Sequence, residues 1–184
     1  MSPQNKRLRN SRRSEAEQIR LIERLCNASG VSGDESEVRK IVLEEIRPYA
    51  DEVRTDALGN VLAVRRGQGA GLPRVMLAAH MDEVGFMIVS DDGGGLYRFE
   101  VVGGIDPRQL PGKAVLVGAD HLPGVIGARP IHHTTREERR KPIPLETLRI
   151  DLGPGGEGKA QPGDRAVFAT RFTRLEDSFY AKAL

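Results

Sequence analysis

The sequence predicts an α/β fold combined with a small β-barrel, on three observations. Two helix-capping patterns, at Ser14 and at Ser32, each open an amphipathic stretch. A continuous apolar run of strand length, Val75-Met-Leu-Ala-Ala79, suits a strand covered on both faces, as in an α/β sheet. Beyond residue 84 the texture changes to short strands with Gly- or Pro-rich joints and no helical stretch, which implies a small antiparallel barrel or sandwich.

The elements follow in order. Ser14 and Glu17 form a capping box, and Ile19, Ile22, Leu25 and Cys26 continue at helical spacing until Asn27-Ala-Ser-Gly30, where Gly30 suits a left-handed cap. Ser32 with Glu35 predicts the second helix start; Val38, Ile41, Val42 and Ile46 form its stripe and Pro48 helps stop it. Leu58-Gly59-Asn60 between Val53–Asp56 and Val61–Arg65 predicts a hairpin or tight strand pair. Residues 67–71 are a flexible loop before the Val75–Ala79 strand. Short strands are then expected at Val84–Ser90, Leu96–Val102, Lys113–Val117, Gly124–Ala128, Leu148–Leu152 and Ala166–Thr170, with a turn cluster at Asp91–Gly95. Arg136–Lys141 reads as a solvated charged loop. Leu175–Leu184 has mixed helical and strand character, and ending on Ala-Lys-Ala-Leu without a cap or polar tail reads as a cut end.

Composition narrows the function classes. Of 28 basic residues in the 184-residue chain, five (Lys6, Arg7, Arg9, Arg12 and Arg13) precede the first acid, Glu15; the remainder is outnumbered by 26 acidic residues. The net charge of +2 is therefore a property of a basic leader over residues 1–13. Such a leader either binds an anionic surface or nucleic acid, or is disordered and solvated; the absence of aromatics among its arginines argues against RNA. No apolar run reaches the roughly 18 residues of a membrane span, and no apolar stretch follows the leader to make a secretory signal. The single cysteine, Cys26, excludes an internal disulfide and a CxxC zinc site, so a reducing cytoplasm is the expected compartment.

The sharpest chemical pattern is His80-Met81-Asp82 at the end of the apolar run, where ligands bind in α/β sheets. One imidazole nitrogen of His80 is a metal ligand in this reading, and Asp82 accepts a hydrogen bond from the other, fixing the tautomer. The competing reading is a histidine capping a strand end beside a solvated acidic turn with Glu83. Adjacent His132 and His133 would point to opposite sides of an extended segment, and His121 sits in a turn, so neither site reads as a metal centre. Cys26 reads as a core thiol, Ser29, Ser32 and Ser36 as helix caps, and the 153–158 glycine run as a flexible barrel loop. GxSxG and Walker patterns are absent, and Glu44 and Glu45 diverge by about 100° around a helix, which gives no glycosidase pair.

A wider set of motifs occurs in a fixed order: Gly30-Val-Ser-Gly-Asp-Glu35 with Val38-Arg39, Asp56-x-Leu-Gly-Asn60, Ala78-Ala-His-Met-Asp-Glu-Val-Gly-Phe86, Gly103-Gly-Ile-Asp-Pro107 and Gly124-Val-Ile-Gly127. From about Leu21 to Leu184 the chain resembles the glutamyl-aminopeptidase-like co-catalytic metallopeptidases, metallopeptidase family forty-two. That family includes the tetrahedral aminopeptidases and members labelled endoglucanase. The resemblance implies a partial α/β metallopeptidase catalytic domain interrupted by a small β-barrel domain. Its expected bounds are a leader at 1–13, catalytic segments at 14–83 and 172–184, and the barrel at 84–171. It implies His80 as one metal ligand of a site for two divalent ions (zinc, cobalt or manganese), and Asp82 as the catalytic residue that orients it. It further implies peptide substrates, hydrolysis of N-terminal peptide bonds, and homo-oligomers joined mainly through the barrel.

The departure from the family lies in length. Members are about twice as long, and after a segment like Lys182-Ala183-Leu184 they continue with an Asp-Asp-Arg sequence whose aspartate bridges the two metals. The base glutamate, the other carboxylate ligands and the second metal histidine come later still. Two metals that activate water and polarise a carbonyl need a closed ligand set, which one imidazole does not supply. Asp82 cannot serve as the base if its lone pairs are committed to His80. The expectation is that this polypeptide alone has no peptidase activity and at most a weak partial metal site. The alternatives are an interaction or oligomerisation module derived from such an enzyme, and an anion-binding protein using the leader.

Overall fold

A computed structural model describes residues 13–137 and 140–182. The expected leader thus lies outside the described residues except for Arg13, which is ion-paired to Glu45 on the second helix rather than solvated. Part of the Arg136–Lys141 loop lies outside them too.

Helix α1 spans Glu15–Asn27 and starts as the capping box requires: the Glu17 amide donates to Ser14 Oγ at 3.3 Å and the Ser14 amide donates to Glu17 Oε2 at 2.7 Å. Helix α2, Ser36–Ile46, runs into a 3-10 turn at Arg47–Tyr49 that holds Pro48. The two helices are cross-linked by Arg24 to Glu44 and Glu45 at 2.5 and 2.7 Å. These exposed pairs contribute little to stability individually.

Two capping expectations are corrected. No side chain caps α2: Glu35 turns back, one oxygen accepting from the Gly33 amide at 2.6 Å and the other from Arg39 at 3.1 Å. Ser32 is free for a partner far along the chain. Gly30 is not left-handed either, since α1 is capped by extended Ala28. Gly30 is small for another reason: a Cβ there would lie 2.8 Å from Val38 Cγ2 and 3.2 Å from the Met81 carbonyl oxygen.

Strands β1 (Glu52–Thr55) and β2 (Val61–Val64) form the expected antiparallel hairpin. Its loop is organised by Asp56, whose carboxylate accepts from the Leu58 and Asn60 amides and from Asn60 Nδ2, all within 3.0 Å. The Asn60 side-chain bond, with the two loop amides, holds the Asp56 carboxyl below its ordinary range.

Six strands then close a barrel: β3 (Gly85–Gly93), β4 (Leu96–Val102), β5 (Ala114–Val117), β6 (Leu122–Gly127), β7 (Arg149–Asp151) and β8 (Arg165–Phe168). Their order is β3-β4-β7-β6-β5-β8, with β8 returning to β3, and every pair is antiparallel. Each strand overlaps a predicted one. Alternate residues fill the interior, Tyr97 and Phe99 inward between exposed Leu96, Arg98 and Glu100. Phe86 meets Phe99 and Phe168 edge-on, with ring centroids 5.2 and 5.1 Å apart.

The 153–158 glycine run is mostly exposed, as expected of a barrel loop, but it is anchored at Gly156. Gly156 is buried in a 3-10 turn at Pro154–Gly156, and its carbonyl accepts the buried Tyr97 hydroxyl at 2.7 Å. The final hairpin, β9 (Thr173–Leu175) and β10 (Ser178–Tyr180), resolves the mixed signal of the terminal segment as strand.

The largest departure is Val75–Ala79. The run takes no regular secondary structure and pairs with no strand among the described residues, and Val75, Met76 and Leu77 are 81%, 87% and 94% exposed. Among the described residues nothing covers it: the barrel is closed, and the run does not add to either open edge of the β1–β2 hairpin. Apolar composition specifies a buried strand only where other layers exist to bury it. No described helix is long and apolar enough to cross a membrane.

Candidate functional site

His80, Met81, Asp82 and Glu83 form the link between this apolar run and β3, and three anchors fix it. The Glu83 amide donates to the Gly30 carbonyl at 2.7 Å, Val31 pairs with Glu83 in a parallel bridge, and Val31 is wholly buried. Gly85 permits that approach, because a Cβ there would fall 2.5 Å from Val31 Cγ2 and 2.6 Å from the Ala166 carbonyl oxygen. Lys182, beyond β10, ion-pairs with Glu83 and donates to the Ala28 carbonyl at 2.7 Å. Segments far apart in sequence thus converge on one short link.

His80 and Asp82 lie together at the end of the run. His80 Nδ1 is 3.2 Å from Asp82 Oδ1 and 3.0 Å from the Asp82 carbonyl oxygen. Both neighbours are acceptors, so in a neutral ring they favour the proton on Nδ1, with Nε2 as the lone-pair nitrogen. The ring is 85% exposed, which keeps Nε2 accessible. Asp82 Oδ2 accepts from Ser32 Oγ at 2.5 Å. That bond is the main reason the Asp82 carboxyl sits below its ordinary range; partial burial opposes it and the His80 contact adds to it. Beside the pair runs an open groove of about 490 Å³ between α2, the hairpin loop and residues 77–82.

The other candidates fall elsewhere. His121 lies with Nε2 2.7 Å from Glu37 Oε1 on α2, close in distance but without a directed hydrogen bond. It sits in a barrel turn, as expected, and that turn lies against the helix. His132 and His133 sit in a 3-10 turn, not an extended segment, and their rings meet edge-on at 4.4 Å. Cys26 is buried as expected, and burial, reinforced by Glu83, pushes its thiol up, away from nucleophile chemistry. Among the described residues no group of three or more His, Cys, Asp or Glu side chains could hold a metal ion. The donor set here therefore does not fit a closed metal centre; it offers one oriented imidazole.

Sequence reasoning missed Ser32 and Lys182. Each has a partner about 50 residues or more away, and no local spacing signals such a contact.

Residues 59–184 match the family model for M42 glutamyl aminopeptidase. A lysyl aminopeptidase of Pyrococcus furiosus is 31% identical over 170 residues, covering 88% of this chain and 48% of that protein. Among solved structures, a TET aminopeptidase from a marine sediment Thaumarchaeota archaeon superposes with a TM-score of 0.80 at 33% identity, over 88% of this chain and 47% of that one. The Pyrococcus horikoshii TET1 peptidase, which can assemble into a tetrahedron or a large octahedral shell, matches at 0.71 and 36%, over 86% of this chain and 48% of that one. The chain spans about half the length of the curated relatives it matches.

Proposed function

Because the chain belongs to the M42 glutamyl aminopeptidase family, we propose that it carries part of the active site of a metal-dependent aminopeptidase that hydrolyses N-terminal peptide bonds. In this reading residues 14–83 and 172–184 belong to an α/β catalytic domain, and residues 84–171 form a barrel inserted into it. His80 presents Nε2 as a metal ligand and Asp82 holds the ring. The carrying observation is the His80–Asp82 contact at the end of the apolar run, which engages Nδ1 and leaves Nε2 accessible. A complete site would take two divalent ions, such as zinc, cobalt or manganese, and a peptide with a free amino end. Among the described residues the donors are too few to hold such a pair, which supports the reading that the polypeptide by itself is inactive. Incubation with each metal and a set of aminoacyl chromogenic substrates is expected to give no chelator-sensitive turnover. Turnover that EDTA stops and His80→Ala abolishes would overturn the inactivity.

A second reading, an assembly module, is favoured by Val75, Met76 and Leu77, which expose three large apolar side chains in a row with no strand partner among the described residues. Such a run promotes pairing with another chain. We propose a homo-oligomer, in keeping with the assemblies formed by the TET relatives. Light scattering should give a mass above that of one chain, and Leu77→Asp should lower it. A monodisperse monomer would remove this reading.

A further inference from the structure

We propose that Ser32 is a positioning residue for the candidate site: its hydroxyl locks the Asp82 carboxylate so that Oδ1 holds the proton on His80 Nδ1. The inference deepens the active-site reading above and rests on it for its functional meaning, but the contact itself stands on geometry. Ser32 Oγ lies 2.5 Å from Asp82 Oδ2, the short separation of a hydroxyl donating to a charged carboxylate. The other carboxylate oxygen faces His80 Nδ1 at 3.2 Å and shares it with the Asp82 carbonyl oxygen at 3.0 Å, so the carboxylate adds to a hold that the backbone begins. A carboxylate gripped at one oxygen cannot rotate about its side-chain bond without breaking that grip, so Ser32 sets the direction in which Asp82 offers its remaining lone pairs.

The serine is itself held. Its neighbour Val31 is wholly buried and bridged to Glu83, and the Asp34 amide closes the turn on the Val31 carbonyl at 2.7 Å. Arg165 Nε on β8 donates to the Ser32 carbonyl at 3.3 Å, and Gly33 takes φ +87°, a left-handed turn position that favours glycine. Ser32 is thus fixed from the barrel on one side and from the His80–Glu83 link on the other. A nucleophilic role does not fit: its proton points to a carboxylate, not to an imidazole that could remove it. The relay runs from Ser32 to Asp82 to His80, and its product is the orientation and tautomer of an exposed ring.

The test reads the tautomer directly, on the 184-residue chain, without metal. The chain has four histidines, so a nitrogen-15 correlation spectrum is sparse, and His80→Gln assigns the His80 signals. At about pH 8.5, above the ordinary imidazole range, wild type should show His80 mainly as the Nδ1–H form. Ser32→Ala should lower the ratio of Nδ1–H to Nε2–H by about threefold to tenfold, the loss of one modest hydrogen bond. Ser32→Thr, which keeps the hydroxyl, should restore it, while barrel amide resonances stay in place throughout. If Ser32→Ala disturbs the fold, Ser32→Cys, similar in shape but a weak donor, carries the same comparison. A wild-type spectrum dominated by Nε2–H, or a ratio that the alanine and cysteine variants leave unchanged, overturns the proposal. A tautomer that follows Ser32 as expected in a chain that shows no zinc affinity would instead count against the metal role of His80, leaving the positioning role of Ser32 intact.

Discussion

Truncating Phe86 to alanine is expected to lower the unfolding free energy by about 3–5 kcal/mol, the usual cost of deleting a buried aromatic ring. Phe86 has no exposed surface, and it sits where the barrel closes, paired with Val101 of β4 on one side and Ala166 of β8 on the other. Its ring meets Phe99 and Phe168 edge-on, so alanine deletes two aromatic contacts as well as buried area. Six strands hydrogen-bonded in a ring cannot close around the gap as a loose helix pair could, which favours the upper part of that range. Against a typical domain stability of about 5–15 kcal/mol the loss is large. Urea titration should show a lower midpoint with an unchanged slope. A loss under about 1 kcal/mol would mean that the barrel interior repacks freely, contrary to the close fit of these rings.

The barrel was the most legible part of the chain because its signals are local. Leu96–Val102 alternates apolar and polar residues around Tyr97 and Phe99, and the observed strand has the predicted bounds. Strand β3 was expected to stop at Ser90. It continues to Gly93 because bulges between Ile88 and Ser90 and between Asp91 and Gly93 let the chain bend without leaving the ladder. Val75–Ala79 shows the opposite case. Its composition is that of a covered strand, yet composition cannot supply the neighbours, and the exposed run is what remains without them.

The site divides along the same line. His80 and Asp82 stand two residues apart, so their contact could be read from spacing. Ser32 could not be placed, because Ser-x-x-Glu fits a capping box equally well; Glu35 folds back on Gly33 and leaves the serine for Asp82, 50 residues on. Gly30 was attributed to turn conformation when its real constraint is contact with Val38 and the Met81 carbonyl. In each case the residue type was informative and the partner was not, since partners are set by long-range packing.

Replacing Lys182 with methionine is expected to cost about 3–5 kcal/mol, the scale for breaking a buried ion pair from one side. The Lys182 side chain is only 4% exposed and that of Glu83 13%. The ammonium serves both the Glu83 carboxylate and the Ala28 carbonyl at the end of α1. Methionine preserves the apolar stem but leaves a carboxylate without its counter-charge and a helix-end carbonyl without a donor. Arginine would not substitute well, because its planar fork needs more room than a compact ammonium. The decisive comparison is the double variant Lys182→Met/Glu83→Gln. Removing both charges takes away the uncompensated ion, so part of the stability should return, with a coupling of about 1–3 kcal/mol in a double-mutant cycle, while the Ala28 carbonyl stays without its donor. Chemical denaturation of the four proteins measures it. Equal losses in single and double variants would show that Lys182 acts through packing and the Ala28 carbonyl alone. A single-variant loss below about 1 kcal/mol would show that water reaches Glu83, and that the link bearing His80 and Asp82 is not held from the β10 side.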